Sequence, residues 1–133
     1  MGLVFADIEL RNARDDALLP ITVDAMVDSD ALHLCIPQHV VNQLSLPRLE
    51  QRTVTLADRE QLVDYVGPIR VRFGNRQCLV GALVFGEQTL LGAIPMEDMD
   101  VVISPARREL VANPKTPNIP ASVATRGRTA ESR

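Results

Sequence analysis

Aromatic residues are scarce in this chain, with three Phe, one Tyr and no Trp among 133 residues. A core without large rings must be filled by Val, Leu, Ile and Ala, and the β-branched share of that set suits a sheet. Cysteine is nearly absent too. Cys35 and Cys78 are the only two, they lack CxxC spacing, and each sits inside an apolar run. Free thiols packed as small hydrophobes are expected, rather than a disulfide. No apolar run approaches the roughly 18 residues of a membrane span. The first residues, Met1 to Asp7, lack a basic stretch and meet an acid early, which is unlike a signal peptide. Ala6 stands where a myristoylation motif wants Ser or Thr. A soluble, cytoplasmic protein with no membrane partner is expected. A basic stripe is also missing, since residues 1 to 112 hold 16 acids against 10 Arg, and four bases with one acid fall in 113 to 133. That balance lacks the electrostatic footprint of nucleic-acid binding.

What is present is alternation. The length suits a single domain. Residues 3 to 10 read as a first strand, and the polar stretch Arg11 to Asp16 turns the chain back into a strand over 19 to 27, where Ile21, Val23, Ala25 and Val27 alternate with polar neighbours. A short strand over 32 to 36 precedes Pro37, which opens a short helix with Val40, Val41 and Leu44 on one stripe. Strands over 52 to 57 and 62 to 73 bracket Asp58-Arg59-Glu60-Gln61 as a projecting hairpin, with Gly67-Pro68 bulging the second strand. Gly74-Asn75 supplies a tight turn into a strand over 77 to 85. Leu90-Leu91-Gly92 then leads into a Pro-started helical turn, and strands over 100 to 103 and 108 to 112 close the domain. Residues 113 to 133, rich in Pro and Gly, read as a flexible tail. The expected class is mostly β, with one short helix and a final helical turn.

Between the second and third strands lies Val27-Asp28-Ser29-Asp30-Ala31. Taken alone, Asp-Ser-Asp is a common turn, because these side chains hydrogen-bond nearby backbone N–H groups. His33, Cys35 and His39 invite a metal reading, but no second cluster matches them, so a structural role is favoured and no metal or other cofactor is expected. Glu97, Asp98 and Asp100 suit helix-end charges.

The order of elements around the turn carries more. A strand, Asp-Ser-x-Ala, a strand, a Pro-started helix, a polar hairpin, then apolar-apolar-Gly and a last helical turn resembles the retroviral-type (retropepsin-like) aspartic protease family over residues 3 to 112. The resemblance implies an acid-protease barrel over residues 1 to 112 that works as a homodimer on polypeptide substrates. It makes Asp28 the catalytic carboxylate and Ser29 the hydroxyl that ties the two active-site loops together. Ala31, Leu90, Leu91 and Gly92 would support that loop, and Asp58, Arg59, Glu60 and Gln61 would form the tip of a flap. Two departures stand out. Asp30 replaces the family's Gly, so two subunits would bring four carboxylates to one axis, and the flap tip holds no Gly. The resemblance therefore implies an aspartic endopeptidase, with a non-catalytic peptide-binding or dimerisation module on the same scaffold as the alternative.

Overall fold

The computed structural model describes residues 3–124. Alternation becomes β1 (Val4–Asn12) and β2 (Ile21–Val27), an antiparallel pair in register from Val4 opposite Val27 to Leu10 opposite Ile21. Even-numbered residues of β1 from Val4 to Leu10 turn inward and their neighbours face out, as the pleat requires. β3 (Leu34–Ile36) is shorter than the alternation implied and leaves His33 in the preceding loop. Pro37 is the N-cap of α1 (Gln38–Leu44), which buries Val40, Val41 and Leu44. β4 (Arg48–Thr55) and β5 (Glu60–Phe73) form a long antiparallel arm, and the β5–β6 register shifts at Gly67-Pro68, a cis peptide.

Gly74, at φ +59, turns the chain into β6 (Arg76–Val84). The two-residue β7 (Leu90–Leu91) is followed by α2 (Ala93–Met99), with Gly92 as N-cap and Pro95 inside its first turn rather than at its start. β8 (Val101–Ser104) and β9 (Glu109–Ala112) pair with each other as a separate hairpin. The main sheet runs β1-β2-β7-β3-β6-β5 and closes through a β1–β5 pairing, giving a six-strand barrel with β4 outside it. Ile8, Leu10, Leu34, Ile36, Ile69 and Val71 fill its interior almost without solvent contact. Among the described residues, no helix is long and apolar enough to cross a membrane.

The sequence reading treats everything from Asn113 as a free tail, and the structure corrects this for residues 113 to 121. The side chains of Asn113 and Thr116 and the backbone N–H of Ala121 all donate to the carboxylate of Asp100, at the C-terminal end of α2. Thr116 also gives its carbonyl to Arg76, and Pro117 gives its carbonyl to Asn75 at 3.2 Å. Short polar side chains fasten this segment, so it leaves no apolar periodicity to read. Residues 125 to 133 lie outside the described part of the chain.

Candidate active site

Asp28 stands where β2 ends, and two local hydrogen bonds shape the turn it opens. The Ala31 N–H donates to the Asp28 carbonyl at 3.1 Å, and the Asp30 N–H donates to Asp28 Oδ1 at 3.0 Å. The second bond fixes one carboxylate oxygen on the backbone and leaves Oδ2 as the oxygen with no bond of this kind. Asp28 is half-buried, while Ser29 and Asp30 are exposed.

Support comes from a distant part of the chain. β7 inserts between the two strands that flank the turn, parallel to β2 through Met26 with Leu90 and Val27 with Leu91, and antiparallel to β3 through Cys35 with Leu90. The Asp28 N–H donates to the Leu91 carbonyl at 3.0 Å, so the acidic residue is tied directly to β7. Farther along, the N–H groups of Ala93 and Ile94 donate to the carbonyls of Ala31 and Leu32 at 2.8 and 2.9 Å. The loop is therefore held at both ends. Gly92 lies against its backbone so closely that a Cβ there would stand 2.4 Å from the His33 carbonyl oxygen. Ala31, Leu91 and Gly92 thus meet at the turn, and Leu90 pairs beside it with Met26 and Cys35.

Asp28, Ser29 and Asp30 form one wall of a cavity of about 860 Å³. Val4, Met26, Val27 and Ile103 give it an apolar lining, and Ser104, Pro105 and Arg108 from the β8–β9 turn also border it. Behind the turn, the Cys35 thiol is pushed up, chiefly by burial and secondarily by the Asp28 charge. His33 is pulled down, by burial first and then by Arg52, whose guanidinium lies 3.3 Å from His33 Nε2 and 4.0 Å from the centre of the Tyr65 ring.

The projecting hairpin differs in detail from the sequence reading. Its connection is residues 56 to 59, closed by the Leu56 N–H donating to the Arg59 carbonyl at 2.7 Å. Asp58 and Arg59 are in that connection, whereas Glu60 and Gln61 are already in β5, opposite Thr55 and Val54. The polar character of both faces conceals this boundary. None of the four lines the cavity beside Asp28.

Sequence reasoning missed Arg108, which lines the same cavity as Asp28 and is brought there by a separate hairpin. It also missed Arg76, which is 1% exposed, with Nη1 3.9 Å from Asp100. Nothing in Gly74-Asn75-Arg76 signals a buried guanidinium, since a charged residue after a turn is ordinarily solvated. Among the described residues, no three His, Cys, Asp or Glu side chains gather as a metal site. No family model matches the chain, and no curated protein matches it.

Proposed function

We propose that this chain is one subunit of a homodimeric aspartic endopeptidase with a retropepsin-like fold, Asp28 from each copy forming the catalytic pair. The observation that carries the reading is the union of Asp28 with Leu91 and Gly92, because it joins the acid turn to its apolar-apolar-Gly support inside a closed barrel. The fixed Oδ1 and the open cavity add to it.

Two such carboxylates within a hydrogen bond of one another cannot both ionise, so the pair shares a proton. The ionised member takes a proton from water as the oxygen attacks the peptide carbonyl carbon, and the protonated member gives its proton to the carbonyl oxygen. As the tetrahedral intermediate collapses, the carboxyl that took the water proton gives it to the amine nitrogen, the C–N bond breaks, and a hydroxyl of the intermediate returns its proton to the other carboxylate, restoring the singly protonated pair. Ser29 braces the two turns, and the β4–β5 arm covers the polypeptide substrate. Two unpaired, buried thiols suit a reducing, cytoplasmic setting.

Cleavage of an unstructured protein between about pH 4 and 7 tests this reading. Activity is expected in the native chain and absent in Asp28→Asn. Cleavage that survives the substitution overturns it, as does a protein that is monomeric by light scattering at assay concentration.

Asp30 favours a second reading, a dimeric scaffold that binds peptide without cutting it, because the residue adds an exposed carboxylate to the cavity wall. Asp30→Gly discriminates the two. Activity that appears only in this variant supports the binding module, and activity already present in the native protein removes it.

A further inference from the structure

The second acid of Asp-Ser-Asp shares its cavity with a residue of opposite charge. Asp30 borders that cavity from the β2–β3 turn, and Arg108 borders it from the β8–β9 turn. Both residues are exposed. Among the described residues neither has an ion-pair partner, although the adjacent Arg107 is paired with Glu109 at 2.6 Å. Val4, Met26, Val27 and Ile103 line the same cavity, as does Leu3, which is 71% exposed. A largely apolar basin bordered by both an unpaired acid and an unpaired base offers a second copy of itself a charge of each sign. In a two-fold dimer every such contact occurs twice, acid to base and base to acid.

The backbone at Arg108 strengthens the case. Its φ of 52 is in the left-handed region, where Gly or Asn sits at lower cost, and its N–H closes the turn onto the Ser104 carbonyl at 2.8 Å. The turn itself uses only the backbone of this residue. A guanidinium in a position suited to a smaller residue points to work outside the turn.

We infer that Arg108 of each subunit pairs with the partner subunit's Asp30 when two copies close over their acidic turns. The inference rests on the homodimer in the reading above and supplies what that reading lacks. Two Asp28 and two Asp30 would put four carboxylates around one axis, and two Arg108 offset the charge that the two Asp30 add.

Sedimentation over a concentration series, at low and high salt, tests the pairing with charge reversals. Arg108→Asp and Asp30→Arg are each expected to weaken the dimer by about tenfold or more, and the double reversal to restore it to within about threefold of native. Arg107→Asp, beside the cavity but not lining it, is expected to leave the dimer unchanged. Native association is expected to weaken as salt rises. Circular dichroism checks that each variant folds, which is expected because both side chains are exposed. Single reversals without effect overturn the inference, as does a double reversal that fails to recover or an Arg107→Asp loss equal to that of Arg108→Asp. These results leave the endopeptidase reading intact. A native protein that is monomeric throughout removes the homodimer, and this pairing with it.

Discussion

Gly92→Ala is the sharpest probe of how the acidic turn is held. The methyl carbon would sit 2.4 Å from the His33 carbonyl oxygen, 2.8 Å from the Leu32 carbonyl carbon and 2.9 Å from the Ala31 carbonyl oxygen. An ordinary contact begins near 3.4 Å, so the closest approach is about an ångström too short. All three neighbours are backbone, and no side chain can swing aside. Either the 31 to 33 loop moves away or α2 shifts. Overpacking of this kind costs about 1 to 3 kcal/mol. Moving the loop also strains the hydrogen bonds from Ala93 to Ala31 and from Ile94 to Leu32, each with a net worth of about 1 kcal/mol. A total loss of about 2 to 4 kcal/mol is expected, which lowers the melting temperature of a domain of this size by roughly 8 to 16 °C. Backbone strain is not the cause, because Gly92 has φ −92, which any residue adopts. Thermal unfolding followed by circular dichroism measures the loss, and amide exchange at Ala93 and Ile94 shows whether those two bonds open. A Gly92→Ala protein as stable as the native one, with both amides still protected, would refute the account of the loop's support.

Gly81→Ala places a methyl 2.3 Å from Cζ of Tyr65, so the ring must leave Gly81 and give up its stacking with Arg52, at a cost of about 1 kcal/mol. Tyr65 is the sole tyrosine in a chain without Trp, and its fluorescence is expected to change, whereas an unchanged signal would contradict the stacked geometry. Asp100 is held down to about 2 from its ordinary 3.8 by the Thr116, Ala121 and Asn113 hydrogen bonds, with the Arg76 charge adding a smaller pull. The folded protein therefore keeps this carboxylate ionised to lower pH than the unfolded chain does, and its stabilising contribution is present above about pH 4 and lost as pH falls toward 2. Acid unfolding of Asp100→Asn should lack that component, and identical acid dependence in variant and native protein would contradict it. The Cys78 thiol is pushed up to about 12 by burial and, secondarily, by Asp98, and Cys35 is also raised. A thiol reagent at pH 8 is expected to react with both only after denaturation, and rapid reaction of the folded chain would show that the core opens.

The strands that close the barrel were legible because each has one face toward the core. Val23, Ala25 and Val27, then Ile69 and Val71, mark their strands by alternation, and the structure places Ala25, Val27, Ile69 and Val71 among its buried residues. The signal fades where a strand has no buried face. Glu60 and Gln61 are exposed at the far end of the β4–β5 arm, so no period separates strand from turn there. Arg76 and residues 113 to 121 were illegible for a different reason. Arg76 depends on an ion pair with Asp100 and a hydrogen bond to the Thr116 carbonyl, 24 and 40 positions away, and the segment on hydrogen bonds to Asp100 from 13 to 21 positions away; hydrophobicity does not record such partners. At the candidate site, Asp28 and Gly92 stood out through the order of elements. Arg108 did not, because only folding of the β8–β9 hairpin brings it to the same cavity.

The insertion of β7 between β2 and β3 also orders events in time. Leu90 follows Met26 by 64 positions, so the acidic turn is synthesised long before the strand that holds it leaves the ribosome. Pairings this far apart in sequence close slowly, since the intervening chain must first give up its freedom. A nascent chain carries Asp28 on an unsupported loop, and the local part of the barrel can assemble around a gap where β7 belongs. The turn gains its support when that gap is filled. A supported turn is a product of nearly complete folding, which ties the appearance of the site to the integrity of the whole domain.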